Sequence, residues 1–312
     1  MTDSKKYYLW IDNVKGLAII LVMLHHCNYL NGKENLQWFQ HAVPLFLFCS
    51  AFLLRNADIN NYFSRRRLLR LYSRIIRPYF LAELFVLTII AILCLLRKDV
   101  FPYSFSHLLR FAGVGPGSYF PILYVQCWCV IPFLIVLKRH LTFSGSFVLF
   151  FFLCLILETL FYVLDGQRVW LWRLLAVRYL MILYVGVFYE EFIKRKQLAA
   201  VLIVLSVVLA VVDIYFYPFD NLGWNGTHCF TSFYILLLIP FLQKLCINWL
   251  AIVGKYSYEI FLLQMSYLAI MNYISRYNYF QNIFYIDELN LLAISIISLV
   301  YIQIYKKFRF SY

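Results

Sequence analysis

The sequence predicts an all-α polytopic membrane protein of about ten transmembrane helices, with the N- and C-termini cytoplasmic. Three observations carry that reading. Of the 312 residues, 63% are hydrophobic and only 14% charged, whereas soluble domains are about half apolar and a quarter charged. Apolar runs of around twenty residues, the length that crosses a bilayer, recur along the chain. The charges lie mostly between those runs and favour one side of them. In lipid the backbone must satisfy its own hydrogen bonds, which favours helices over open sheets. No stretch long enough for a separate soluble domain is left over, so residues 1–312 read as a single integral-membrane domain.

The apolar segments cover residues 8–29, 38–54, 79–96, 119–137, 146–164, 171–189, 197–216, 229–245, 250–273 and 288–305. With the N-terminus inside, the inner loops hold nineteen Lys and Arg and the outer loops eight. That asymmetry is the positive-inside rule at work. It accounts for a net charge of +13 that would suggest nucleic acid in a soluble protein. The first run has no signal-peptidase site after it and is expected to stay as an anchor. No internal repeat is apparent, which counts against transporters built from two related halves.

The first segment, Tyr8 to Tyr29, carries Asp12, Lys15, His25 and His26. Ionisable groups in a membrane helix are costly and default to a functional hypothesis. Lys15 and His26 are eleven residues apart, about three turns plus ~20°, so they share a face roughly 16 Å apart along the axis. Asp12 lies one turn from Lys15 on nearly that face, and His25 points about 100° away from His26. A snorkelling lysine with a histidine near the interface is the plainer reading of each alone; a stripe of all three favours function.

Between the second and third segments stands a basic stretch, Arg65 to Tyr79. Seven arginines, counting Arg55, crowd this loop. Arg66, Arg70, Arg74 and Arg77 recur at three- and four-residue spacing and would line one face of a helix. Pro78 suits the start of the next span. A topology signal with attraction to anionic lipid explains such a loop. A site for a phosphorylated cytosolic ligand explains it too, because Arg is used throughout and its planar fork fits phosphate.

Other stretches are less specific. Ser50 sits among large apolar residues, where a packing Ser-Ala pair is the plain reading. Gly113 to Pro121 has three glycines and two prolines and reads as an outer turn or re-entrant segment; it lacks the Lys-Ser/Thr pair of a phosphate loop. Gly254 to Gln264 opens the ninth span, with Ser257, Glu259 and Gln264 inside it. Glu83, Glu158 and Asp213 also fall within spans, with no partner assignable from sequence. The eight cysteines are scattered, mostly in apolar runs, and read as small buried hydrophobes with no metal site and no disulfide framework.

Together these stretches resemble the membrane acyltransferase-3 family, the bacterial integral-membrane O-acyltransferases. Asp12-Asn-Val-Lys15-Gly through His26 resembles its opening, an Asp, an Arg-Gly and a His eleven residues after the Arg. The run from Pro44 to Leu54, with Ser50-Ala51-Phe52, resembles its Ser-Gly-Phe. The Arg-rich loop ending Arg77-Pro78-Tyr79 is similar to its cytosolic basic motif, Tyr119-Phe120-Pro121 to its Trp-Phe-Leu, and Gly254 to Gln264 to its Gly-Lys-Xaa-Ser-Tyr motif. The chain departs from that pattern at Lys15 for Arg, Ala51 for Gly, Tyr119 for Trp, and Gln264 where His is common.

The resemblance implies an acyltransferase transferring groups other than aminoacyl groups, with acyl-CoA, here acetyl-CoA, as donor substrate and no permanently bound cofactor or metal. It implies a multi-pass protein of the bacterial plasma membrane that O-acetylates a sugar hydroxyl of a surface or exported polysaccharide, meeting membrane lipid and a glycan or lipid-linked saccharide but no nucleic acid. His26 is then the expected general base or transient acyl carrier, with Lys15 and Asp12 behind it. Arg67, Arg70, Arg74 and Arg77 would hold the CoA phosphates. Ser50, Tyr119, Phe120, Ser257, Glu259 and Gln264 are candidates for the substrate pocket. The alternative is a polysaccharide or lipid-linked saccharide exporter or polymerase without acyl chemistry, for which aromatic-rich spans suit sugar stacking; a scaffold without activity would leave the charged stripe unexplained.

Overall fold

The computed structural model describes residues 8–26, 42–165, 174–216, 229–244, 247–275 and 287–309. Among these residues the regular structure is helical and no strand occurs. The helices are α1 (Leu9–His26), α2 (Ala42–Leu54), α3 (Arg65–Leu71), α4 (Arg77–Arg97), α5 (Phe105–Phe111), α6 (Phe120–His140), α7 (Phe143–Asp165), α8 (Leu180–Lys194), α9 (Lys196–Phe216), α10 (Ile235–Leu242), α11 (Asn248–Lys255), α12 (Ser257–Ile274) and α13 (Asp287–Arg309). Each predicted apolar stretch holds a helix. Among the described residues four continuous helical runs, Leu9–His26, Arg65–Arg97 (α3 through α4), Phe120–His140 and Phe143–Phe161, are long and apolar enough to cross a membrane.

Two helices form the centre. In α8 every residue from Leu180 to Tyr189 is buried. Its Gly186 lets the backbone of α2 approach at Phe48 and Ala51, where a Cβ would collide. The second, α1, packs against α2, α11 and α12. Gly16 lies on the Leu250 carbonyl and Gly254 on the Asp12 carbonyl, with no room for a Cβ at either position. Two glycines facing across a crossing bring backbones into contact, the small-residue packing common to membrane helices. Around this centre stand α4, α6, α7, α9 and α13. They show Leu84, Phe85, Leu95, Phe152, Ile156, Val201, Val204, Leu292 and Leu299 on their outer faces. So much exposed apolar surface fits lipid rather than water.

Two elements differ from the reading of the sequence. The ninth apolar stretch is two helices, not one: α11 ends at Lys255 and α12 begins at Ser257, with Tyr256 between them outside helical geometry (φ −105°, ψ 14°). The close packing of Gly16 on Leu250 and of Gly254 on Asp12 holds the short α11 alongside α1 in the opposite direction, and α12 begins after Tyr256. The arginine stretch is helical, but Tyr72–Ile76 form a π segment that joins α3 to α4. The Arg77 amide reaches back five residues to the Tyr72 carbonyl. Pro78 has no amide to give and its ring crowds the carbonyl four residues earlier, so the turn opens. One extra residue in the turn rotates the next helix by about 100°. Arg66 and Arg70 therefore share a face that Arg74 and Arg77 do not continue.

The crossing of α1 and α11 makes a prediction. Gly254→Ala should destabilise the protein by about 2 kcal/mol or more through overpacking, seen as a lower midpoint of thermal aggregation in detergent. Gly145→Ala, where the added Cβ meets only the Thr142 hydroxyl, should leave that midpoint unchanged.

Candidate active site

His26 is the last residue of α1 and is partly buried. Its Nε2 lies against Gly117, where an added Cβ would come 3.5 Å from that nitrogen and 3.0 Å from the Phe261 ring. Gly117 has φ +84°, a conformation glycine adopts without a steric penalty. The exposed His25 ring is 5.1 Å from that of His26. One turn back, the Val22 carbonyl accepts a bond from Gln264 Nε2 at 3.3 Å. Helical spacing gives the same carbonyl to the His26 amide, so Gln264 ties α12 to the turn that carries His26. Gln264 is 1% exposed, and its Oε1 is buried with no partner among the described residues.

Aromatic rings lead away from His26. Phe261 packs edge-on to Phe120 at 5.4 Å, and Phe120 meets Phe46 at 6.0 Å and Tyr124 at 6.2 Å. The Ser50 hydroxyl bonds the Phe46 carbonyl at 3.0 Å and lies 3.4 Å from the Tyr124 hydroxyl. On the other side Phe261 stacks on Tyr258 at 6.2 Å. The Tyr258 hydroxyl donates to the Ile75 carbonyl at 2.7 Å, inside the π segment. A chain of rings and hydroxyls thus joins the histidine to the arginine helix.

That helix is exposed at Arg65, Arg66, Arg70, Arg74 and Arg77. Arg67 differs: its guanidinium stands 5.5 Å from the Tyr62 ring, and its Nη1 is buried with no partner among the described residues. A buried donor left unmade costs about 1–3 kcal/mol, so an anionic oxygen there would remove a penalty. Tyr62 is itself fully buried, with its hydroxyl on the Trp128 carbonyl at 3.0 Å. Burial pushes its phenol up, Tyr124 adds to the shift and Arg67 opposes it. Tyr62 therefore stays a neutral donor. Arg55 separates from the cluster: its Nε and Nη2 hold Glu190 at 3.1 and 2.7 Å, its Nη1 holds the Phe52 carbonyl at 2.7 Å, and its plane lies 3.8 Å over the Phe52 ring. That is an ion pair built into the fold.

The remaining predicted residues fall in three places. Lys15 and Asp12 pair at 3.7 Å, each partly buried, beside the crossing of α11. Along α1 Lys15 is roughly 16 Å and Asp12 roughly 21 Å from His26, so the triad is one stripe but two places. Phe120 is buried at the ring chain, and Tyr119, which caps α6, hydrogen-bonds Tyr179. Ser257 is buried at the start of α12, and Glu259, in the same first turn, is within electrostatic reach of Arg74. Sequence reasoning missed Tyr124, Tyr62 and Phe261. The first two lie in motifless stretches. Phe261 was within reach of the sequence, one turn after Ser257 in the Gly-Lys-Tyr-Ser stretch.

Against this geometry the profile of the acyltransferase-3 family (Acyl_transf_3, acyltransferase domain) matches residues 8–304. The chain belongs to that family. It is thus an acyltransferase of the acyltransferase-3 type with the apolar helices of a membrane protein. Comparison with curated proteins and with solved structures finds no match.

The orphan oxygen of Gln264 makes a stability prediction. Gln264→Leu removes a buried unpaired acceptor and leaves the Val22 carbonyl its helical partner, so the midpoint of thermal unfolding should stay or rise. Gln264→Ala opens a cavity and should cost about 2 kcal/mol or more. Circular dichroism melts of the two variants in one detergent separate the cases.

Proposed function

We propose that this acyltransferase moves an acetyl group from cytosolic acetyl-CoA to a sugar hydroxyl of a surface or exported polysaccharide, in a bacterial plasma membrane that it crosses about ten times with both ends inside. The observation that carries the reading is the chain of contacts from the π segment of the arginine helix through Tyr258 and Phe261 to His26. The Tyr258 hydroxyl holds the Ile75 carbonyl, Tyr258 stacks on Phe261, and Phe261 packs at Gly117 beside Nε2; Phe120 joins Tyr124 to the same ring.

CoA phosphates rest on the basic helix, with Arg67 Nη1 donating to one of their oxygens and Arg70, Arg74 and Arg77 on the exposed faces. The pantetheine arm runs inward along the aromatic residues and brings the thioester to His26. Nε2 takes the proton of the sugar hydroxyl as its oxygen attacks the thioester carbonyl. The tetrahedral intermediate then collapses, the carbon–sulfur bond breaks, and the imidazolium returns the proton to the departing thiolate. The products are the sugar acetate and free CoA. Lys15 and Asp12 are too far along α1 to touch those atoms. Their pair balances charge in the lower half of the helix. Family membership favours acyl transfer over an exporter, which has no need of the basic helix.

Deleting the gene should remove O-acetyl groups from the host polysaccharide, and restoring it as His26→Ala should not return them; acetate recovered by the mutant overturns the role of His26. In the purified protein, Arg67→Ala should weaken acetyl-CoA binding about tenfold, the worth of one charge-assisted bond, while Arg66→Ala should change it less. Calorimetric titration of acetyl-CoA reads both.

A further inference from the structure

Glu83 places a carboxyl group within an apolar helix, 7% exposed. Its Oε2 accepts the Val114 amide at 3.1 Å and its Oε1 lies 3.4 Å from the same nitrogen. One turn earlier on the same face of α4, the buried Tyr79 hydroxyl donates to the Ala112 carbonyl. The two side chains grip the backbone on either side of Gly113. A Cβ at Gly113 would overlap both Glu83 Oε1 and the Tyr79 hydroxyl, so the loop is pressed onto them. Ala112 has φ +55° and Gly113 φ +142°. A left-handed alanine is costly and persists where surrounding contacts fix it.

From that grip the loop runs along α12. Gly115 lies on the Met265 backbone, and Gly117 on the Phe261 ring and His26 Nε2. Phe261 and Met265 are successive turns of one helix face. The loop is therefore tied at one end to α4, rests on α12 midway, and meets the imidazole at the other end. The loop backbone supplies the reason for α4 to bury an acidic side chain here.

We propose that Glu83 is a positioning residue for His26: by holding the Val114 amide it fixes the loop at which Gly117 meets Nε2, and so sets how far that nitrogen is open to an incoming hydroxyl. The inference rests on the reading of His26 as the reacting base. Tyr79 is the second half of the grip, acting on the Ala112 carbonyl. Glutamine at position 83 keeps a carbonyl oxygen for the Val114 amide; leucine keeps the volume and loses the bond.

The test labels His26 with diethyl pyrocarbonate in the purified full chain, in a His25→Ala background so that mass spectrometry tracks one imidazole of the pair. Glu83→Leu should raise the rate of His26 carbethoxylation about tenfold, the effect of losing one buried hydrogen bond, and Glu83→Gln should return it to near the parent rate. Should Glu83→Leu fail to purify, Tyr79→Phe, which removes a single hydroxyl, should move the rate in the same direction. An unchanged rate in Glu83→Leu or Tyr79→Phe, or a glutamine variant no better than leucine, overturns the inference. Labelling needs no turnover. A His26→Ala enzyme that keeps its activity would therefore sink the catalytic reading while leaving the labelling result to decide the grip on its own.

Discussion

The contact on which the site depends is the backbone crossing of α1 and α11. Gly16 and Gly254 each face a main-chain carbonyl of the other helix, so neither helix can turn or slide without a collision. The rotation of α1 is fixed at one end, and with it the direction in which His26 leaves the other. Tyr256 turns the chain directly after this crossing, and α12 sets out from there along α1. Tyr258, Phe261, Gln264 and Met265 then reach, in order, the π segment, the loop at Gly117, the Val22 carbonyl and Gly115. One close approach sets the phase of two helices and everything between them.

Buried ionisable groups divide by what they hold. Glu83 and Glu158 each accept a backbone amide, from Val114 and from Cys229, the latter at 2.6 Å. Arg55 pairs with Glu190. These groups fasten loops and helix ends through hydrogen bonds that water cannot compete for. The pairing of Asp12 with Lys15 is local, within one turn of a helix. His26 and Arg67 belong to neither kind: the one presents a ring nitrogen to a loop glycine, the other a buried nitrogen with nothing described opposite it. Charges that hold the fold and charges with no partner among the described residues look alike in a hydropathy trace and separate only by what faces them.

Periodic features were legible in the sequence. Apolar length located the helices, and eleven-residue spacing placed Lys15 and His26 on one stripe. Features set by a second segment were not. Arg55 reads as one more arginine of a basic loop, because Glu190 lies 135 residues on. The break at Tyr256 falls within an apolar run and arises from packing on α1, to which hydropathy is blind. The extra residue in the π turn moves Arg74 and Arg77 off the face of Arg66 and Arg70; Pro78 was its only local sign, and it reads equally well as an ordinary helix start. Cys129 is exposed on α6 while the other described cysteines are buried, a difference that composition alone does not make.

The unbroken run from Arg65 to Arg97 is 33 residues, roughly 50 Å of helix against a hydrocarbon core of about 30 Å. At least one end must stand clear of the lipid, and the basic end is the one that water and headgroups accept. The arginines are thus mounted on a rigid post rather than strung on a loose loop. Folding has already ordered their backbone, so a polyanion arriving from the aqueous side loses little of its binding energy to fixing the chain. A sequence that needs only inward orientation has no reason to build such a post, since scattered lysines on a floppy connection would orient it as well.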